Sequence, residues 1–216
     1  MNYDVIIVAS GKAVRANLGY NKVFYRLKNG KSVLDCSIEL FYEDQDCIRI
    51  IVVTNEEDLI NNKDNNKLIT VIGGKERKDS VYNGLKEVKS EYVMIHDGAR
   101  PFVKKENIDD IKKALIDNDA VCLGSKATDT IKIIDNDVIV ETIDRNKVLL
   151  AQTPQAFKTS LIKDCYEKCK DVLFTDDSSL VESLGYKVKV VLNEHDNHKL
   201  TREEDFYNLW LKKLLW

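Results

Sequence analysis

Short runs of β-branched and aliphatic residues alternate with stretches of helical period along almost the whole chain, and this alternation constrains the fold more than any other feature. Val5-Ile6-Ile7-Val8 reads as a buried strand ending at a glycine-containing loop. Ser32 to about Tyr42 reads as a helix with Ser32 as N-cap, Asp35 three residues on, and Val33, Leu34, Ile38 and Phe41 near one face. Ile48–Val53 is the next strand. Leu68–Ile72 follows, then Gly73-Gly74 and a helix through about Val88. Tyr92–Ile95, a helix around Ile108 to Ile116 and the strand Ala120–Leu123 continue the pattern. Strands alternating with helices and leaving through glycine loops predict an α/β domain with a doubly wound, mostly parallel sheet. The ligand of such a sheet sits beyond the C-terminal ends of its strands.

The alternation breaks once. Thr130–Ile134 and Val138–Thr142 alternate with period two around Asp135-Asn136-Asp137, which predicts a β-hairpin outside the main sheet. An apolar arm on a domain of this kind calls for a partner, and we read it as a dimerisation element. Helices at about Thr159–Cys169 and Asp177–Leu184 and the strand Val188–Leu192 then restore the pattern. A last helix opens with Thr201 and Glu204 as a capping box and buries Phe206, Leu209 and Trp210. Asn61–Asn66 is a polar loop. With no repeat and no domain boundary, residues 1–216 form a single domain with an arm at about 130–150.

Charge narrows the partners. The 33 Lys and Arg against 36 Asp and Glu leave a net charge of −3, without the basic excess that displaces counterions from nucleic acid. A small anionic substrate needs only a local positive focus. No apolar run is long enough for a membrane helix, and the opening Met1–Val5 lacks a signal-peptide pattern, so the expected location is the cytoplasm. Cys36, Cys47, Cys122, Cys165 and Cys169 have no metal or disulfide spacing and read as reduced thiols.

Three strand exits carry the residues suited to chemistry. Ala9-Ser10-Gly11-Lys12-Ala13-Val14-Arg15, with Lys22 beyond, puts small residues where backbone can approach an anion and cations where a polyphosphate needs them. The spacing matches neither G-x-x-x-x-G-K-[ST] nor G-x-G-x-x-G, which speaks against a dinucleotide-dependent oxidoreductase. Gly73–Ser80 offers a second glycine turn opening a helix, with backbone donors and a hydroxyl. In His96–Pro101, Asp97 can reach a metal or a sugar hydroxyl and Arg100 a second phosphate. His96, with no nucleophile motif beside it, is given no catalytic role. Arginine is scarce, seven against 26 Lys, and Arg15, Arg77, Arg100, Arg145 and Arg202 all fall in turn-marked segments. Such placement suits bidentate phosphate contact.

In this order the segments Ala9–Arg15 with Lys22, Gly73–Ser80, His96–Pro101, Asp129–Lys132, Asp144–Asn146, Gln152–Phe157, Thr175–Asp177 and Asp196–Arg202 resemble the 2-C-methyl-D-erythritol 4-phosphate cytidylyltransferases nearly end to end. The resemblance implies a Rossmann-like nucleotidyltransferase fold with a protruding dimerisation arm, and a homodimeric, Mg²⁺-dependent enzyme. It would join CTP and methylerythritol phosphate with release of pyrophosphate, in the synthesis of isoprenoid precursors. It implies a CTP site of Ala9, Ser10, Gly11, Lys22, Gly73, Gly74, Ser80, Gly98 and Lys199. Arg15, Lys22, Arg145 and Lys199 would act in catalysis, with Arg145 entering the neighbouring subunit's site. Asp97, Arg100, Thr130 and Arg145 would hold the sugar phosphate. Mg²⁺ would be held mainly by the CTP phosphates, with Asp97 as the candidate protein ligand.

The chain departs from the family's usual first loop at Ser10, Ala13 and Ala16. At Asn21 it lacks the usual proline, which is expected to loosen the Lys22 segment. The competing readings are a ribitol 5-phosphate cytidylyltransferase and a catalytically impaired CTP-binding homologue.

Overall fold

The structure is a computed structural model that describes residues 1–11, 21–55, 66–169 and 173–206. Ala13, Arg15, Ala16, most of the polar loop at 61–66, and Leu209 and Trp210 lie outside the described residues.

Seven strands form one sheet: β1 (Tyr3–Val8), β2 (Cys47–Thr54), β3 (Leu68–Ile72), β4 (Tyr92–Asp97), β5 (Ala120–Lys126), β8 (Leu149–Lys158) and β9 (Lys189–Leu192). Their spatial order is β3-β2-β1-β4-β8-β5-β9. All neighbours are parallel except β8, which runs antiparallel to both β4 and β5. Alternating side chains of the central strands feed two cores, as a sheet covered on both faces requires. Val5, Ile7, Ile50, Val52 and Met94 pack with Leu34 and Phe41 of helix α1 (Val33–Glu43) and Ile108 and Ile111 of helix α3 (Lys105–Ala114). Ile6, Ile51, Val53, Val93 and Ile95 point the other way, onto helices α2 (Arg77–Glu87), α4 (Thr159–Lys168) and α5 (Asp177–Ser183). The expected doubly wound, mostly parallel α/β sheet is present.

Helix α1 starts at the expected cap: Asp35 N donates to Ser32 Oγ at 3.0 Å and Ser32 N to Asp35 Oδ2 at 2.7 Å. Two boundaries differ from expectation. Helix α3 begins three residues before Ile108, because the Asn107 side chain accepts from Lys104 N at 3.1 Å and caps it there. At 201–205 the capping carboxylate is Asp205, not Glu204; its Oδ2 accepts from Thr201 N at 2.6 Å and Arg202 N at 2.8 Å.

Strand β8 was not expected, because Pro154 and the polar Gln152-Thr153-Pro154-Gln155 run argue against a central strand. The register explains how proline is tolerated. Cys122 of β5 pairs with Gln155 and Gly124 with Ala151, so residues 152–154 bulge out of the ladder where no N–H is required. That bulge lies beside the end of β4, at the rim that carries the site.

The arm is a separate two-stranded sheet of β6 (Ile131–Asp135) and β7 (Val138–Ile143). Asn136 and Asp137 close it with φ of 45° and 64°, the left-handed pair of a two-residue hairpin turn. It is rooted after β5, at the C-terminal rim of the sheet, and Ile134, Val138, Ile139 and Val140 are exposed along it.

Candidate active site

The first wall of the site forms where the ends of β1 and β3 approach each other. Ser10 Oγ lies 2.8 Å from Ser80 Oγ in the first turn of α2. Ser80 Oγ also accepts from Gly74 N at 3.0 Å and donates to Glu76 O at 3.1 Å. One hydroxyl has a single proton, so the Ser10 hydroxyl must be the donor to Ser80. Gly73 is the residue that permits this closeness: a Cβ there would lie 2.5 Å from Ser10 Cβ and 3.0 Å from Ser80 Oγ. The expectation of free glycine donors is corrected in part. Gly73 N donates to Thr54 O at 2.8 Å, Gly74 N is held by Ser80, and Gly98 N donates to Val8 O at 3.0 Å. These glycines shape the rim through close packing, leaving Gly11 exposed at its lip.

Lys22 opens a short 3-10 turn, Lys22–Phe24, whose N-cap is Asn21. Asn21 gives this segment two side-chain hydrogen bonds. Its Nδ2 donates to Ala9 O at 2.6 Å, and its Oδ1 accepts from Val23 N at 3.4 Å. Farther along, Tyr25 and Leu27 pack on a small cluster of Val33, Leu200 and Phe206, with the Tyr25 and Phe206 rings 4.9 Å apart. That cluster holds the Lys22 turn against the Lys199–Asp205 segment. Burial would raise the Asp205 carboxyl, but the N–H groups of Arg202 and Thr201, with His198 and Lys22 nearby, hold it below the usual range.

Asp97, only 7% exposed at the end of β4, is the electrostatic centre. Its carboxylate meets Lys199 Nζ at 2.9 Å, Arg77 Nε at 3.3 Å and Arg100 Nε at 3.6 Å. Burial alone would raise this carboxyl; Arg77, Lys199 and Arg100 outweigh it and hold the group far below the carboxylate range. Asp97 is therefore ionised at every working pH. Arg77 is fixed on its far side by Asp177 Oδ2 at 2.8 Å, and Asp177 accepts from the Tyr166 hydroxyl at 2.6 Å. Arg100 Nη1 donates to Asn197 O at 2.7 Å, so Arg100 braces the site wall from within.

A ring of hydrogen bonds sets the Asp97 backbone. Asp97 N donates to Thr153 Oγ1 at 3.0 Å, and Thr153 Oγ1 lies 3.1 Å from His96 Nδ1. His96 Nε2 lies 3.2 Å from Arg100 O. A carbonyl only accepts, so Nε2 carries the proton and Nδ1 accepts from Thr153. Burial pushes the His96 pKa down to about 4 and keeps the ring neutral at physiological pH. Asn197 Nδ2 donates to Thr153 O at 2.9 Å and Leu200 N to Ala99 O at 2.9 Å, which docks the segment that delivers Lys199.

Of the residues singled out in the sequence, the rim brings together Ala9, Ser10, Gly73, Gly74 and Ser80 on one side and Gly98, Asp97, Arg100 and Lys199 on the other, with Lys22 anchored to Ala9 through Asn21. Thr130 and Arg145 sit apart, exposed at the base of the arm, where Arg145 Nη1 donates to Thr128 O at 2.6 Å. Sequence reasoning assigned no role to Arg77, Thr153, Asn197 or Asp177. Each nevertheless lies in a segment that carries the family resemblance, and Arg77 is also one of few arginines in a turn segment.

Small-residue turns, cations and a buried carboxylate at the C-terminal rim of a doubly wound sheet define a phosphate-handling α/β domain. Residues 3–209 match the family model for 2-C-methyl-D-erythritol 4-phosphate cytidylyltransferase, and the chain belongs to that family. It is 43% identical over 214 residues to the 2-C-methyl-D-erythritol 4-phosphate cytidylyltransferase of Clostridioides difficile strain 630, covering 94% of this chain and 90% of the relative. A relative of the same name from Geobacillus thermodenitrificans is 40% identical over 95% of this chain and 94% of its own. Among solved structures, the 4-diphosphocytidyl-2C-methyl-D-erythritol synthase of Anaerococcus prevotii superposes with a TM-score of 0.83 at 34% identity, covering 98% of this chain and 96% of that one. The 2-C-methyl-D-erythritol 4-phosphate cytidylyltransferase of Francisella tularensis superposes with the same TM-score at 29% identity, over 97% and 99% of the two chains.

Proposed function

We propose that this protein is a nucleotidyltransferase joining CTP to 2-C-methyl-D-erythritol 4-phosphate, a step toward isoprenoid precursors. A phosphate oxygen of the polyol phosphate attacks the α-phosphorus of CTP, the bond from that phosphorus to the bridging oxygen breaks, and pyrophosphate leaves. The observation that carries this reading is the group of three cations on one buried, ionised carboxylate, Asp97, facing a glycine-lined corner in a chain that matches the family nearly end to end.

The nucleophile is already an anion, so no general base is needed, and the neutral, buried His96 fits that absence. The protein must hold two repelling anions in line and neutralise charge building on the α-phosphate. In this reading Ala9, Ser10, Gly11, Gly73, Gly74, Ser80 and Gly98 form the CTP cradle. Lys22 and Lys199, with Arg15, bear on the phosphates. Asp97, Arg100, Thr130 and Arg145 orient the polyol phosphate.

A divalent cation, Mg²⁺ in this proposal, would supply positive charge to the phosphates and the leaving pyrophosphate. No cluster of three or more acidic, His or Cys side chains exists among the described residues to cage a metal. Asp97, ionised and at the rim, fits as a single carboxylate ligand beside the phosphates. The apolar arm supports a homodimer in which Arg145 reaches the partner's site. No described helix is long and apolar enough to cross a membrane; we place the enzyme in the cytoplasm.

Pyrophosphate release from CTP tests the proposal. Release with 2-C-methyl-D-erythritol 4-phosphate and not with ribitol 5-phosphate is expected. The reverse preference, or CTP binding without turnover, would overturn it.

A further inference from the structure

Lys22 lies on a three-residue 3-10 turn whose N-cap is Asn21. One bond from the Asn21 side chain ties that turn to the end of β1, and a second braces the turn from within. Asn21 Nδ2 donates to Ala9 O at 2.6 Å, while Asn21 Oδ1 caps Val23 N at 3.4 Å. Ala9 is itself fixed, its N donating to Val53 O at 2.7 Å across the end of β2. Val23 is buried in the core next to Lys22. The short, partly buried amide bond is therefore a direct link between the Lys22 turn and the strand end that carries Ser10 and Gly11. The Asn21 backbone stands at φ −66°, the value a proline ring imposes, so the link holds the conformation that ring closure would otherwise fix.

We propose that Asn21 is a positioning residue for this reaction: its side-chain amide clamps the Lys22 turn to the end of β1 and thereby sets where the Lys22 ammonium meets the phosphates. The proposal rests on the cytidylyltransferase reading. Asn21 touches no reacting atom in it; it acts through Lys22. Loss of the clamp lets the ammonium drift, and a drift of about 1 Å costs up to about 10²-fold in rate.

The test is a double-mutant cycle on kcat for pyrophosphate release from CTP, with thermal unfolding followed for each variant. Asn21→Ala removes both bonds. Asn21→Asp keeps an oxygen to cap Val23 N but sets a carboxylate against the Ala9 carbonyl, so it isolates the clamp in a variant that retains the cap. Both should lose about 10-fold or more in kcat, with the unfolding midpoint of Asn21→Asp near that of the unaltered protein. In a Lys22→Ala background, Asn21→Ala should cost less than about twofold more, because the group it positions is gone. Full activity in both single variants would overturn the proposal, as would an equal loss with and without Lys22. A protein that releases no pyrophosphate before any substitution would overturn the cytidylyltransferase reading itself, and this inference with it.

Discussion

The Lys199 ammonium sits 2.9 Å from Asp97 Oδ2, carried there by a segment that Asn197 and Leu200 dock across the end of β4. The two partners differ in burial: the Asp97 side chain is 10% exposed and the Lys199 side chain 36%. The buried carboxylate anchors the cations around it, and in the proposed reading the more exposed ammonium faces the phosphates.

Removal of each partner should therefore have a different consequence. Lys199→Ala is expected to leave the unfolding midpoint almost unchanged, because Arg77 and Arg100 still pair with the Asp97 carboxylate. It should lower kcat by about 10²-fold, the usual effect of deleting one preorganised contact to transition-state charge. Asp97→Asn leaves Arg77 and Arg100 without their shared counter-ion, and is expected to cost about 3 kcal/mol or more of stability as well as activity. Kinetics alongside denaturant unfolding check both.

Ser10 stands at the site corner, yet its proton is directed to Ser80, whose own proton goes to Glu76 O. It has no donor left for a phosphate, so Ser10→Ala should change the KM for CTP by less than about twofold. A rise of about tenfold would show that the hydroxyl turns to the nucleotide when it binds.

His96 gives the protein a predictable acid sensitivity. Its pKa falls from 6.5 to about 4 on folding, chiefly through burial. Between those values the unfolded chain binds the proton more readily, so stability is lost as pH falls from about 6.5 and the loss levels off near pH 4. Between about pH 7 and pH 5 the expected loss is on the order of 2 kcal/mol. In His96→Gln this part of the pH dependence should flatten, as read from urea midpoints across the range.

If the arm crosses between subunits, activity lost at Arg145 should be restored in a mixed dimer. Arg145→Ala and Lys22→Ala, each poorly active alone, are expected to regain about a quarter of full activity when co-refolded at equal amounts, because half the dimers are mixed and each holds one intact site. No recovery would mean that Arg145 serves its own chain's site.

Much of the frame is readable from hydrophobic period alone. Val5–Val8, Leu68–Ile72 and the arm are short and patterned, and each lies at or within a residue or two of its expected place. Strand β8 was hidden because its proline and polar residues read as a loop, and only its two neighbours reveal that they form a bulge inside the sheet. The site was legible where type and spacing were local, as at Gly73–Ser80 and His96–Pro101. It was not legible where function rests on distant partners: nothing in sequence ties Asn197 to Thr153, or Arg77 to Asp177, since those pairings exist only once the strands are side by side. Asn21 is a related case. The absence of proline was visible, and the carbonyl that replaces its restraint was not.

A crystal structure of the protein with CTP and Mg²⁺ tests the central claim most directly. The account predicts the triphosphate against the Ser10–Gly11 and Gly73–Gly74 turns, with Lys22 Nζ and Lys199 Nζ within about 3 Å of phosphate oxygens. A nucleotide bound elsewhere, or both ammonium groups turned away from it into solvent, would contradict it.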